Sequence, residues 1–270
     1  MINNNISKFA EFLDYYKENY VKSSREISIP HPDDEDNIGN KELTPLVTSD
    51  YPMLDFDSMC RDANFYPKRN LKECNRPSTV DGLYYRILDK NELELYLVEF
   101  KTFYFTWNNE KYFNSAMKNI EKLQNCKPHN KFQKGIKMLK NIEEKLGNSI
   151  EFSLKLKPYE SLFVVLPKLY DEYCEEKSIP ENKKIDLYKL FKSNLCTIKL
   201  IVVGKKYPDD STRAYNGKLG SSLDKQFRRL DFVNILKPHP QRLCFEDEFD
   251  IYVNQLRLHE HENIKSLNYN

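Results

Sequence analysis

Asp81, Glu99 and Lys101 are the side chains whose types and spacing suit them best to chemistry. They lie in the stretch from Arg76 to Phe105, RPSTVDGLYYRILDKNELELYLVEFKTFYF. This stretch reads as two β-strands, residues 79–88 and 92–105, rich in Tyr, Leu, Ile, Val and Phe. The polar Asp89-Lys90-Asn91 between them suits a three-residue loop, with Asn91 taking a positive φ. That loop sets a register in which Asp81 lies opposite Glu99, Leu83 opposite Leu97, Tyr85 opposite Leu95 and Ile87 opposite Leu93. Side chains alternate along a strand, so Leu93, Leu95, Leu97, Glu99 and Lys101 share one face. The other face, with Tyr96, Val98, Phe100, Thr102 and Tyr104, is also mostly apolar, as expected of a strand covered on both sides. Two opposed carboxylates in such surroundings repel one another and resist burial. A divalent cation with carboxylate oxygens as ligands removes both problems.

The pattern Asp81…Glu99-Phe100-Lys101 on a hairpin resembles the PD-(D/E)XK nuclease superfamily, the restriction-endonuclease-like fold. Asp81 matches the family's Asp, and Glu99 with Lys101 matches its ExK. The family's proline would directly precede the Asp; Val80 stands there instead, with Pro77 further upstream. The resemblance covers about thirty residues. It implies a Mg²⁺- or Mn²⁺-dependent hydrolase of phosphodiester bonds. Asp81, Glu99 and the backbone carbonyl of Phe100 would hold the metal, and Asp81, Glu99 and Lys101 would be the catalytic set. The family often adds an acidic ligand from the region before the hairpin. Of Glu42, Asp57, Asp62 and Glu73, the candidates singled out are Glu73 and Asp57.

The elements that must position these groups follow from periodicity and punctuation. Ile6, Phe9, Leu13, Tyr16 and Tyr20 mark an amphipathic helix over 6–20. Residues 21–52, with Pro30, Pro32, Pro45, Pro52 and the acidic run Asp33–Asp36, read as a long loop or linker. A short helix is expected around Asp55–Asn64. Beyond the hairpin, helices are expected over 109–123 and 132–146, the latter ended by Gly147. Residues 158–176 also read as helical, with Leu162–Leu166 open to a strand assignment, and a further helix is expected near 184–194. Cys196–Gly204, CTIKLIVVG, is a buried strand. Residues 221–230 read as helix and 242–254 as a last strand or short helix. The fold class is therefore α/β (or α+β), and the resemblance narrows it to a restriction-endonuclease-like mixed sheet with a central hairpin flanked by helices. One domain over 1–270 is expected. It divides into an N-terminal helix and acidic loop (1–52), the core hairpin and helix (53–125), a helical insertion (126–195), and the buried strand, basic loop and C-terminal elements (196–270).

Composition limits the partners. The chain has 270 residues, is 40% hydrophobic and 31% charged, and has a net charge of +1, so nucleic acid would have to be met by a local basic face. Two such clusters exist. Lys111 to Lys157 carries about eleven lysines against Glu121, Glu143, Glu144 and Glu151. Lys205, Lys206, Arg213, Lys218, Lys225, Arg228 and Arg229 follow the buried strand. Clustered cations bind phosphate by releasing condensed counterions. Phe103, Tyr104, Trp107, Tyr112 and Phe113 are available to stack on bases. DNA or RNA is the expected partner, and a homo-oligomer stays open.

The six cysteines show no CxxC pairing, which speaks against zinc or iron–sulfur and for reduced, buried thiols. No GxSxG, P-loop or dinucleotide fingerprint occurs. No basic-then-apolar leader is present and no apolar run approaches the roughly 18 residues of a membrane span, so a cytoplasmic location is expected. Two functions compete: a metal-dependent nuclease, and a catalytically silent nucleic-acid-binding or protein-interaction module on a similar fold.

Overall fold

The structure, a computed structural model, describes residues 2–29, 44–63, 77, 79–88, 92–101, 156–204 and 243–267. Six strands form a single sheet in sequence order: β1 (Val21–Ser23), β2 (Pro52–Asp55), β3 (Gly82–Leu88), β4 (Glu92–Lys101), β5 (Cys196–Gly204) and β6 (Leu243–Phe245). The first four run antiparallel to their neighbours, whereas β4–β5 and β5–β6 are parallel. The helices are α1 (Ile2–Tyr20), α2 (Ser24–Ile27), α3 (Phe56–Asp62), α4 (Leu166–Glu176), α5 (Leu187–Lys192) and α6 (Glu246–Leu267). Residues 156–160 are helical and pass through a π-helical turn, Ser161–Val165, straight into α4.

The hairpin has the register expected from alternation. Leu83 pairs with Leu97, Tyr85 with Leu95 and Ile87 with Leu93. The odd positions of β4 then face one core cluster and the even positions another. Leu93, Leu95 and Leu97 pack with Phe9, Phe12 and Leu13 of α1, Phe56 and Met59 of α3, Leu166 to Cys174 of α4 and Phe191 of α5. Tyr96, Val98 and Phe100 pack with Ile201 and Val203 of β5, Phe249 and Val253 of α6, and Val47, Tyr51 and Met53. Helices therefore cover both faces of a mixed sheet, and β4 is buried along nearly its whole length because it lies between them. Among the described residues no helix is long and apolar enough to cross a membrane.

Several sequence expectations are corrected or refined. Residues 21–52 are not one long loop. Val21–Ser23 forms edge strand β1, and Ser23 then starts α2 with a capping box in which its side chain and that of Glu26 satisfy each other's backbone N–H groups. The segment leading into β2 is fastened to α6: Asp250 accepts from the Thr48 N–H and hydroxyl and from the Ser49 N–H. β2 is too short to show alternation, and its final residue, Asp55, caps α3 by accepting from the Ser58 N–H. Leu162–Leu166 is helical rather than a strand. Residues 242–254 contain both alternatives, β6 followed by the start of α6. Of the expected helical insertion over 126–195, residues up to 155 lie outside the described residues; residues 156–176 and Leu187–Lys192 are helical and their apolar stripes belong to the main core cluster. The helices expected over 109–123, 132–146 and 221–230 also lie outside them.

Candidate functional site

Glu99 and Lys101 occupy the C-terminal end of β4, beside Val202 and Gly204 of the parallel strand β5. Ligand sites in sheets of this kind gather at the carboxyl ends of parallel strands. Asp81 immediately precedes β3, one step beyond the Gly82–Val98 pair, and so continues the register opposite Glu99. Four contacts from two elements, α3 and the π-helical turn, fix the approach to Asp81. Its carbonyl accepts from the Phe56 N–H at the start of α3 (2.9 Å), and the Val80 N–H donates to Ser161 Oγ (3.1 Å). Thr79 donates to Asp57 (3.0 Å), and the Cys60 thiol meets the Pro77 carbonyl at 3.9 Å. Gly82 permits the close passage of β2: a Cβ there would meet Met53 Sδ at 2.6 Å. The Asp81 side chain is oriented by the Phe100 N–H, which donates to Oδ2 at 2.6 Å.

A fourth residue joins the three expected from the sequence. Lys157, from the helical residues before the π-turn, places Nζ 2.6 Å from Glu99 Oε1 and 3.8 Å from Asp81 Oδ1. Lys101 Nζ approaches the same Glu99 oxygen at 2.5 Å. Lys157 stands four residues before Ser161, so one helix face holds both the Val80 backbone and the carboxylates. In the sequence Lys157 is the last lysine of the basic 111–157 run. Nothing local distinguishes it there; only the spacing to Ser161 could have hinted at a shared face.

The electrostatics are unbalanced. Glu99 is 1% exposed, and among the described residues its Oε2 has no hydrogen-bond partner, although both lysines crowd Oε1. An orphaned buried carboxylate oxygen is costly and calls for an explanation in terms of function. Burial, and next the neighbouring Glu99 charge, push the Asp81 carboxyl up to about 7; Lys157, Lys101 and the Phe100 N–H only partly offset this. Burial works against the Lys157 ammonium, but Glu99 and Asp81 together hold it firmly protonated.

The chemistry of the donor set fits a hard divalent cation in part. Two carboxylates meet at one point, and one buried oxygen has a lone pair to spare. Among the described residues, no group of three or more His, Cys, Asp or Glu is arranged to hold a metal. Asp57 lies near enough to be felt by Lys157, yet it is occupied by Thr79 and by Arg61 at 3.3 Å. Asp62 is turned to Tyr20, whose hydroxyl donates to it at 2.9 Å. Glu42 and Glu73 lie outside the described residues. So do Lys205, Lys206, Arg213, Lys218, Lys225, Arg228 and Arg229, most of the 111–157 run, and the aromatics from Phe103 to Phe113. In the sequence Lys205 and Lys206 follow directly on Gly204, the partner of Lys101. The four described cysteines, Cys60, Cys174, Cys196 and Cys244, are buried free thiols. Comparison of the chain with protein-family models, curated proteins and solved structures finds no match.

Proposed function

We propose that the chain is a metal-dependent nuclease of the PD-(D/E)XK type, acting on phosphodiester bonds of DNA or RNA. The observation that carries this reading is the buried Glu99 carboxylate at the C-terminal end of β4, with one oxygen unpartnered among the described residues and the other bridged through Lys157 to Asp81. A purely structural ion pair would be expected to satisfy both oxygens. The element order supports the same reading: antiparallel strands β2–β4, with the short α3 between β2 and β3, are followed by helices and then β5 parallel to β4, which is compatible with an αβββαβ core to which β1, α2 and α3 are added.

In this reading Asp81 and Glu99, with the Phe100 carbonyl, are the ligands for Mg²⁺ or Mn²⁺. The cation, when bound, supplies Lewis-acid stabilisation of the charge developing on the phosphate. The Phe100 N–H fixes the Asp81 carboxylate so that it need not reorganise. Lys101, 15% exposed and on the face of Glu99, orients the attacking water and offsets negative charge on the phosphate oxygens. Glu73 and Asp57 stay as candidate further ligands, and the basic segment after Gly204 as the backbone-binding surface.

One observation favours the silent-module alternative: Lys157 and Lys101 already neutralise the acidic pair. Incubation with single- and double-stranded DNA and RNA, with and without Mg²⁺ or Mn²⁺, separates the two. The nuclease reading requires metal-dependent cleavage that Asp81→Asn abolishes. Salt-sensitive binding that persists in chelator and in Asp81→Asn, without cleavage, would establish the binding module instead.

A further inference from the structure

We propose that Lys157 is a built-in counter-cation that spans Asp81 and Glu99 where a divalent cation would sit, and that it must withdraw before metal can bind. This inference rests on the nuclease reading of the site and specifies how that site is kept quiet. Lys157 Nζ bridges the two carboxylates, at 2.6 Å from Glu99 and 3.8 Å from Asp81. Its side chain is 17% exposed and Glu99 is 1% exposed, so water does little to screen either charge. Two acids that share one ammonium, one of them almost fully buried, need either a cation or a proton to offset their repulsion. The ammonium meets that need when metal is absent, and a divalent ion in the same place would be repelled by it.

The origin of Lys157 makes withdrawal feasible. Glu99 and Lys101 are fixed on a central strand and Asp81 is clamped by backbone ties, whereas Lys157 reaches in from a helix on a flexible four-carbon stem. Departure of Nζ leaves Glu99 Oε1 with Lys101 alone, beside an Oε2 that has no hydrogen-bond partner among the described residues, and opens the side of the carboxylate that faces Asp81. Lys157 is thus a gatekeeper of the acidic pair, acting through it.

Calorimetric titration of Mn²⁺ into the wild-type chain and into Lys157→Gln tests this directly, with melting curves run on the same samples. Lys157→Gln should bind about tenfold tighter or better, and its metal-induced rise in melting temperature should exceed that of the wild type. Equal or weaker binding by Lys157→Gln overturns the inference and leaves the metal reading standing. Absence of binding by both proteins overturns the two together. A second measurement needs only the wild type, and so stands even if Lys157→Gln does not fold. Reductive methylation followed by peptide mapping should show Lys157 modified several-fold faster with Mn²⁺ than without, and Asp81→Asn should remove the difference. Unchanged or slower modification with Mn²⁺ overturns the inference.

Discussion

Strand β4 carries two buried carboxylates, Glu94 and Glu99, in opposite electrostatic situations. Glu94 is matched on every side. Arg86 Nε and the Tyr96 hydroxyl donate to one oxygen at 2.6 and 2.7 Å, and Lys199 Nζ donates to the other at 2.6 Å. Burial alone would raise its carboxyl, but the bonds from Lys199, Tyr96 and Arg86 outweigh it and hold the group down at about 2. Arg86 and Lys199 also sit over the Tyr96 ring, at 5.9 and 5.0 Å from its centre. Glu99, five residues along and on the other face, has two cations on one oxygen and, among the described residues, no hydrogen-bond partner on the second. Asp81 opposite it is raised rather than lowered. A fully satisfied network rigidifies a fold, whereas an unsatisfied buried group is the one that calls for an explanation.

Breaking each centre in turn sharpens this contrast. Glu94→Ala should have the largest effect on stability, about 3–5 kcal/mol by urea unfolding, because it leaves Arg86 and Lys199 buried beside an empty place. In the nuclease reading Glu99→Gln should instead strike activity, lowering metal-dependent cleavage about 10²–10³-fold, and should cost less in metal-free unfolding than Glu94→Ala because Asp81 stays to partner Lys157. A stability loss at Glu99 equal to that at Glu94 would remove the distinction. Gly82→Ala should cost under about 1 kcal/mol, because the added methyl meets the movable Met53 thioether rather than backbone.

The mildest test is pH. Glu94, lowered on folding, contributes stability present above its ordinary 4.5 and lost as pH falls through about 2. Asp81, raised on folding, contributes stability present below its ordinary 3.8 and lost as pH rises through about 7. Metal-free Asp81→Asn should therefore lose less stability than the wild type between these two values. The difference in slope should stay under the one-proton limit of about 1.4 kcal/mol per pH unit.

How much of this was legible depended on the length and locality of the signal. The hairpin register could be read because alternation over Leu93–Lys101 leaves one way to bury both faces, and β5 because nine residues of CTIKLIVVG admit little else. The short β1 and β2 were not legible. Three or four residues show no period, and their pairing is decided by the neighbouring strand. Asp81 and Glu99 were legible as an opposed pair. Lys157 was not, because its role arises only when a helix docks on the sheet. The Glu94 network escaped notice for the same reason, since Lys199 reaches Glu94 from β5.

The tie between Val80 and Ser161 has a kinetic side. It joins positions 81 residues apart, and the Lys157–Glu99 bridge joins positions 58 apart. Loops of that size close slowly compared with a hairpin turn. The β3–β4 hairpin can form early, with Asp81 and Glu99 still wet and unremarkable. The acidic pair acquires its dry setting and its lysine only at the last consolidation, when the helix settles onto the sheet. Labelling of Lys157 during refolding would then time the maturation of the site separately from that of the hairpin.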